Sequence, residues 1–254
     1  MTVAPILGVL FLLLPIGPML TWRVGDMRTA LKRLAPAIAL GVITFALALW
    51  LSGWRVMPAL GLGIGAWLVA GGFIYIWTRV QRGEGRALAK LAALPLVVWS
   101  MSVAHIGAGV LTIGAIGETA FRSERAAAMA PGESVDFAGR RVSLLEVGQV
   151  EGPNYSATRA NFRIDTQTRA TPLSAERRFY ATSGMPTTEV GILGALDGDL
   201  YIALGEPVRD NPGAWTVRLY HNPVVQLIFI GALMMALGGA LSLVALTRRT
   251  RNAP

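Results

Sequence analysis

The sequence predicts a membrane α-helical bundle of about five transmembrane helices, with a small antiparallel β-rich domain, a barrel or a sandwich, between the fourth and fifth helices. Two observations predict this class. The 254 residues are 53% hydrophobic and 15% charged, which is too apolar for an ordinary soluble domain of this length. Apolar runs of about twenty residues, each long enough for a ~30 Å hydrocarbon layer, flank one long polar stretch.

The apolar runs lie at about 3–22, 35–54, 58–77, 94–116 and 223–247. Each run is expected to form a helix, because lipid offers no hydrogen-bond partner to backbone polar groups. Residues 1–117 therefore carry four transmembrane helices, residues 118–222 form the polar domain, and residues 223–254 hold the fifth helix and a basic tail.

Proline and glycine residues within these runs predict how the helices pack. Pro15, Gly17 and Pro18 predict a kink or a broken turn in the first run. The third and fifth runs carry glycines that favour close approach of neighbouring helices. These are Gly61, Gly63, Gly65, Gly71, Gly72, Gly231, Gly238 and Gly239.

Basic residues at the ends of the runs predict the orientation. Outside residues 118–222 there are twelve Lys and Arg against two acids, and eleven of the twelve fall in three short clusters. The clusters are Arg23, Arg28, Lys32 and Arg33, then Arg79, Arg82, Arg86 and Lys90, then Arg248, Arg249 and Arg251. The positive-inside rule places them on the cytoplasmic side of the membrane, and residues 118–222 on the outer side.

Charge and cysteine content exclude several classes of function. The net charge of +8 arises at the span ends, whereas residues 118–222 hold eleven Arg against thirteen acids, so we expect no nucleic-acid partner. The chain has no cysteine. It therefore has no disulfide, thiol nucleophile, thiolate metal site or iron–sulfur cluster of its own.

Short stretches of alternating apolar residues after Glu133 predict strands. Within residues 215–220 and 199–205, every second residue is apolar, so each stretch has one apolar face. One-sided burial is typical of a small antiparallel sheet or barrel. Further strands are expected near 140–150, 155–165, 177–182 and 188–196. Residues 117–130, rich in Ala and Arg, are expected to extend the fourth helix.

His105 is the one ionisable side chain well inside a predicted span. Such a group is costly in hydrocarbon, so a functional role is the default interpretation. Residues on the same helical side are small, namely Ser102, Ala108, Gly109 and Thr112. A flat macrocycle has room against such a surface while His105 Nε2 ligates its iron. The alternative is a neutral histidine bonded to a backbone carbonyl. No span carries a carboxylate, which disfavours a proton relay.

Other candidate binding residues lie in or beside the polar domain. Arg140 with Arg141, and Arg177 with Arg178, either hold an anionic ligand or form surface ion pairs. His221 lies at the joint between the domain and the fifth span, where it either faces solvent or approaches a ligand. No catalytic constellation is visible, so the catalytic residues stay unknown.

Several motifs together resemble the cytochrome c haem lyase family CcmF, in its carboxy-terminal part, and their order and spacing match over nearly the whole chain. The motifs are GPMLTWR (17–23), HIG (105–107), GPNY (152–155), AERRFY (175–180), DLYIALGE (199–206), WTVRLY (215–220) and MMALGG (234–239). After Pro223 the chain departs from the aromatic-rich start expected of the last span in this family.

The resemblance implies a role in the periplasmic step of cytochrome c maturation, in which haem is joined to the cysteines of an apocytochrome CxxCH site. Members of the family hold a b-type haem between transmembrane histidines, and His105 matches one of these ligands. The other ligand, the external histidines and the tryptophan-rich segment belong to the amino-terminal half of the family. We therefore expect a carboxy-terminal subunit of a split haem lyase, or a truncated copy, that is not active alone.

The resemblance also implies a set of partners. These are the amino-terminal half or subunit of the lyase, a haem carrier protein, apocytochrome c with its thiol-handling chaperone, quinol as electron source, and membrane lipid. A competing hypothesis is a permease or exporter subunit whose outer domain captures a partner. The spans lack the charges and the midplane polar cavity typical of that class. A third hypothesis is a structural scaffold in which His105 is a packed polar residue.

Overall fold

A computed structural model describes the backbone of residues 3–20, 25–81, 85–166, 169–182, 184–195 and 197–251, and side chains between residues 6 and 248. Several residues used in the sequence-based predictions lie outside the described residues: Thr21, Trp22, Arg23 and Arg82 entirely, and Arg249 and Arg251 in their side chains. The chain divides into two compact units, Met1–Ala120 with Val225–Pro254, and Phe121–Val224.

The first unit is helical. Its helices are α1 (Val3–Leu13), α2 (Met27–Leu51), α3 (Val56–Val80), α4 (Ala87–Ala92), α5 (Leu96–Phe121) and α6 (Gln226–Arg251). Among the described residues, α2, α3, α5 and α6 are long and apolar enough to cross a membrane, and Ile6–Met19 is a shorter apolar helical segment. The predicted bundle of apolar helices is confirmed.

The first apolar segment breaks where its prolines predicted. After α1, a short 3-10 turn forms at Gly17–Met19. Pro15 and Pro18 have no amide hydrogen, so carbonyl groups one turn earlier lose a helical donor. The indole Nε1–H of Trp67 donates to the carbonyl oxygen of Leu12 at 3.3 Å. Helix α3 thereby supplies a hydrogen bond to the broken segment.

Charged residues cap the helices at two loops. Asp26 accepts a hydrogen bond from the backbone amide of Arg28 at 2.9 Å, which explains why α2 begins at Met27 and not near the predicted residue 35. Arg55, the one basic residue outside both residues 118–222 and the three clusters, donates from Nη1 to the carbonyl oxygen of Ala120 at 2.9 Å. It therefore satisfies one of the free carbonyls at the end of α5.

Glycines let α5 approach both α3 and α6 closely. A Cβ added to Gly109 of α5 would lie 2.7 Å from the carbonyl oxygen of Gly65 on α3. A Cβ added to Gly107 would lie 2.8 Å from the carbonyl oxygen of Gly231 on α6. Backbone atoms cannot move aside as a flexible side chain does, so these contacts require glycine. The predicted packing role of Gly65 and Gly231 is confirmed, as expected for helices associating in lipid.

The second unit folds as two antiparallel sheets. Its strands are β1 (Ser123–Met129), β2 (Ser134–Phe137), β3 (Arg140–Glu151), β4 (Ser156–Asp165), β5 (Ala170–Phe179), β6 (Pro186–Glu189), β7 (Gly191–Leu193), β8 (Asp199–Pro207) and β9 (Trp215–Asn222). One sheet has the order β1-β9-β8-β7 and the other β2-β3-β4-β5-β6. Of the two predicted architectures, the sandwich is the one observed.

The core of the sandwich is apolar and fully buried. Its residues come from alternate positions of strands in both sheets: Val142, Leu144, Phe162, Ile164, Leu200, Ile202, Leu204, Val217 and Leu219. Trp215 packs against them. The apolar faces predicted for residues 199–205 and 215–220 therefore both line the core.

The prediction that residues 117–130 extend the fourth helix is wrong beyond Phe121. Residues Ser123–Met129 form β1, which pairs with β9 from Ser123 opposite His221 to Met129 opposite Trp215. Alanine favours helix by a fraction of a kcal/mol per residue, about 0.5 kcal/mol. Pairing with β9 adds backbone hydrogen bonds and side-chain packing along the strand, and this tertiary context overrides the weak propensity.

The orientation of the helices gives a first testable prediction. Since eleven basic residues cluster at three span ends, a reporter enzyme that works only in the periplasm should be active when fused near residue 150 and inactive when fused after Arg251. A reporter that works only in the cytoplasm should give the reverse result at both sites. An active periplasmic reporter fused after Arg251 would contradict the predicted orientation.

Candidate functional site

His105 lies in the first half of α5 with one ring nitrogen anchored and the other open. Its Nδ1 lies 2.7 Å from the carbonyl oxygen of Met101, one turn earlier, and at this distance Nδ1–H donates. In the resulting tautomer the lone pair is on Nε2. That nitrogen has no hydrogen-bond partner in the described part of the chain. Metal-binding histidines commonly anchor their second nitrogen to a backbone carbonyl in this way.

A depression beside His105 is lined by three segments of the helical unit. Its walls are Pro15 and Pro18 after α1, Gly71, Gly72 and Tyr75 of α3, and Met101, Ser102 and His105 of α5. It holds about 190 Å³ of empty space, including its open mouth. Pockets that enclose a drug-sized ligand have roughly 300–1,000 Å³. The described residues that line the depression therefore do not enclose a ligand of that size.

The residues around His105 fit half of a haem site. An imidazole with a free Nε2 and an anchored Nδ1 is the usual form of a proximal haem ligand. The surrounding Pro, Gly and Met side chains are apolar, as a haem face requires. The chain's only other histidine, His221, belongs to the second unit. His105 is thus the one histidine that the helical unit offers to a haem.

The small-residue face predicted to carry a macrocycle is covered. Ala108 is buried against Trp67 and Leu68 of α3. A Cβ on Gly109 would meet the backbone of Gly65. Ala108 and Gly109 thus serve helix packing, for which small residues are favoured in lipid, and for these two residues the prediction is wrong.

The paired arginines form ion pairs, the second of the two predicted alternatives. The partners are Asp197 for Arg140, Asp136 for Arg141, Glu206 for Arg177, and Glu176 with Glu189 for Arg178. Arg140 is buried, whereas Arg141 is largely exposed. Hydrogen bonding to Arg141 lowers the pKa of the exposed Asp136 carboxyl.

The GPNY and AERRFY motifs meet at one junction of the sandwich. The ring centroids of Tyr155 and Tyr180 are 5.4 Å apart, and the Arg178 guanidinium lies 4.5 Å from the Tyr155 ring. Arg178 Nε also donates to the buried carboxylate of Glu176 at 2.7 Å. This bond, followed by that from Arg159, lowers the pKa of Glu176. These residues stabilise the strands that carry them.

Glu176 gives a pH-dependent stability prediction. Because folding lowers the pKa of Glu176 from its ordinary value of 4.5, the carboxylate stabilises the sandwich above that pH, and the stabilisation is lost as the pH falls through the lowered pKa. At about pH 7, Glu176→Gln should lower the free energy of unfolding of the sandwich by about 1–3 kcal/mol. This is less than the loss expected for a fully buried ion pair, because both arginines are partly exposed.

The measurement is hydrogen exchange of β4 and β5 in the full chain, at about pH 7 and about pH 3. The difference between wild type and Glu176→Gln should shrink in acid. Glu189→Gln is the matched control. It removes the other carboxylate that pairs with Arg178, which is half-exposed and lies 3.3 Å from the guanidinium. This variant should change the hydrogen-exchange rates of β4 and β5 little. Equal effects of the two variants would contradict the role of Glu176.

His221 is held within the second unit. Its Nε2 is buried and has no hydrogen-bond partner among the residues that the structure describes. Gly198, with a φ of +134°, packs against it, and a Cβ there would lie 2.7 Å from Nε2. Since Nε2 is buried, the predicted alternative that His221 faces solvent is wrong for this atom. Whether His221 approaches a ligand stays a prediction.

Sequence reasoning did not bring Pro15, Pro18 and Tyr75 together with His105. The proline pair predicted a break in the first helix and the Gly71–Gly72 doublet predicted close packing, but one sequence does not contain the register between helices. Tyr75 is buried, and its hydroxyl accepts a hydrogen bond from Arg79 Nη2 at 2.9 Å. A tyrosine within an apolar helix was the available signal.

Comparisons with known proteins show which family this chain is similar to. Residues 120–223 match the family model described as the CcmF C-terminal beta-sandwich. The cytochrome c-type biogenesis protein CycK of Bradyrhizobium diazoefficiens is 35% identical over 96% of this chain. This chain is homologous to the carboxy-terminal part of CcmF. The Escherichia coli cytochrome c-type biogenesis protein CcmF is 34% identical over 96% of the chain.

The fold agrees with that of a solved CcmF structure. The structure titled Cytochrome c Heme Lyase CcmF superposes with a TM-score of 0.72 over 94% of this chain and 38% of that one, at 21% identity. The chain spans about 37% of the length of the CycK relative and 36% of the E. coli CcmF. The helices and the homologues together make this chain a multi-pass inner-membrane protein, and a periplasmic sandwich is consistent with them.

Proposed function

We propose that this chain acts in the haem-attachment step of cytochrome c maturation, and that His105 supplies one axial ligand of a b-type haem. The second ligand comes from the part of CcmF that this chain does not span. The observation that carries the proposal is the free Nε2 of His105 on an apolar helix, with Nδ1 bonded to the Met101 carbonyl at 2.7 Å.

The carbonyl of Met101 has a defined role in this proposal. By accepting from Nδ1–H it fixes the tautomer and the orientation of the imidazole, and it raises the basicity of Nε2. The glycines that hold α5 against α3 and α6 fix the position of the helix itself. Bound haem would supply one-electron chemistry, while this chain's residues hold and orient it.

The proposal makes the site dependent on a second protein segment. A depression of about 190 Å³ presents one wall, and one histidine gives one iron bond. The remaining wall and the remaining ligand have to come from the rest of a CcmF protein. A haem carrier, apocytochrome c with its thiol-handling chaperone, and quinol are the further partners that we propose for the assembled lyase.

The test compares the chain alone with the chain produced together with the complementary part of a CcmF protein. Alone, the purified chain should hold haem weakly, because half of the coordination is present. Together, the two should co-purify with a low-spin haem and restore cytochrome c maturation in cells that lack the lyase. Strong low-spin haem in the isolated chain, or none in the complex, would contradict the shared site.

A further inference from the structure

An apolar groove runs along the helical unit where α2 and α3 meet the first apolar segment. Its lining residues include Leu12 and Ile16 of that segment, Leu31 and Phe45 of α2, and Trp67 of α3. All of its lining residues are Leu, Ile, Val, Phe, Gly or Trp. Among them, only Trp67 has a polar side-chain atom, and its indole Nε1–H already donates to the carbonyl oxygen of Leu12. The lining side chains leave no polar group for a ligand, so the groove fits hydrocarbon.

The length of the groove matches a lipid chain. Leu31 and Phe45 are fourteen residues apart on α2, which corresponds to about 21 Å at a rise of about 1.5 Å per residue. The hydrocarbon of one leaflet is about half of a ~30 Å layer. The groove is therefore long enough for an acyl chain of one leaflet.

The width of the groove excludes a whole helix. Its empty space, including the open side, is about 930 Å³, and dividing this volume by the length of about 21 Å gives a mean cross-section of about 44 Å². A helix with its side chains is about 10–12 Å in diameter and has roughly twice that cross-section. An extended hydrocarbon chain is only about 4 Å wide, the contact distance between carbon atoms, and fits.

Positive charge lies at the Leu31 end of the groove. Arg28 precedes Leu31 by three residues, so the two are neighbours on one face of α2. Arg28 is exposed, as are Lys32 and Arg33 of the same cluster. Asp26, the acidic residue nearest to them in the sequence, accepts a hydrogen bond from the Arg28 backbone amide in the cap of α2. No ion pair among the described residues involves Arg28, so its charge is available to an anion.

The charge at the end of the groove selects among lipids, whereas the groove itself does not. Surrounding lipid is as apolar as the groove, so an acyl chain gains little by exchanging one for the other. Each Arg or Lys near the membrane surface raises the affinity for a negatively charged headgroup by about fivefold. Basic residues beside gaps between transmembrane helices bind such headgroups in other membrane proteins. The two features together are those of a site for an anionic phospholipid.

We propose that one phospholipid with an anionic headgroup binds here, with an acyl chain in the groove and its headgroup at Arg28. The lipid fills the space between α2, α3 and the first apolar segment. No described residue lines both this groove and the depression beside His105. The lipid site is thus independent of the proposed haem ligand, and tests of lipid binding do not require haem.

The first test is lipid selectivity, measured by native mass spectrometry of the chain in detergent, alone and together with its complementary CcmF part. The probes are phosphatidylglycerol, which is anionic, and phosphatidylcholine, which has no net charge, with the same acyl chains. Both preparations should retain one phosphatidylglycerol, with at least about fivefold higher affinity than phosphatidylcholine. Equal affinities would overturn the proposal. Lipid bound to the chain alone but absent from the complex would also overturn it, since the rest of CcmF would then occupy the groove.

The second test removes the charge. Arg28→Gln should lower the affinity for phosphatidylglycerol about fivefold and leave that for phosphatidylcholine unchanged. Arg33→Gln is the matched control, because Arg33 has the same charge in the same cluster but lies about 200° around the helix from Leu31. This control should bind both lipids as the wild type does. Equal losses in the two variants would indicate a general attraction of anionic lipid and would overturn the site.

The third test fills the groove. Val42 and Ile43 are adjacent on α2 and similarly exposed, at 59% and 61%, but of the two only Val42 lines the groove. Val42→Trp should therefore lose most of the bound phosphatidylglycerol, whereas Ile43→Trp should retain it. Since both positions are exposed, neither change should disturb the packing of the helices. A Val42→Trp variant that binds as much phosphatidylglycerol as Ile43→Trp would overturn the proposal.

Discussion

Changing His105 to Ala is expected to remove the haem from the complex of this chain with its complementary CcmF part. The substitution deletes one of two iron–nitrogen bonds. Mutation of groups that merely orient a metal ligand costs roughly 10–100-fold in affinity, so loss of the ligand itself should cost more than about 100-fold. Purified variant complex should therefore contain little haem and lack the low-spin absorption bands.

Thr112→Ala is the matched control for this experiment. Thr112 lies on the same helix two turns further on, and its hydroxyl bonds to its own helix at the Ala108 carbonyl. This variant should keep both the haem and the spectrum. A His105→Ala complex with full haem content and unchanged cytochrome c maturation would contradict the ligand assignment and support a packed polar residue.

Substituting Gly231 by Val is expected to separate α6 from α5. A Cβ at Gly231 would overlap the backbone nitrogen of Leu111 and lie 2.6 Å from the carbonyl oxygen of Gly107. Both are backbone atoms, so the clash is relieved when the helices move apart. Overpacking a well-filled interior lowers the free energy of unfolding by about 1–3 kcal/mol. We expect a clash with backbone atoms to lower it by at least the upper value of this range. The Tm of the chain should fall accordingly.

Gly239→Val is the control for the Gly231 variant. It places the same β-branched side chain in the same helix, but no atom lies within 4 Å of the added Cβ. Its thermal unfolding should stay close to wild type. Because α5 also carries His105, Gly231→Val should weaken haem binding as well. Equal stability of the two variants would mean that α5 and α6 do not pack through Gly231.

The parts of the fold that follow local periodicity were predictable from the sequence. Residues 199–205 and 215–220 alternate with a period of two, and both became core strands because one face is apolar. The broken first helix followed from Pro15 and Pro18, whose missing amide hydrogens act locally. The spans themselves followed from length and hydropathy.

Features that depend on tertiary contacts were not predictable in this way. Strand β1 is rich in alanine, so its sequence alone predicts a helix. It is a strand because it pairs with β9. The small residues Ala108 and Gly109 were equally suited to a ligand surface and to helix packing, and the position of α3 decides for packing. Of the candidate site, His105 was found from its cost in hydrocarbon, whereas the depression beside it required the coordinates.

Restoration by added imidazole tests the ligand role of His105 most directly. In the His105→Ala complex, the space left by the side chain is about the size of an imidazole, and Nε2 is the atom that we assign to iron. Supplied with haem and imidazole, the variant complex should regain the low-spin spectrum of the wild type. A variant that is low-spin before imidazole is added, or whose spectrum imidazole leaves unchanged, would show that His105 does not ligate the haem.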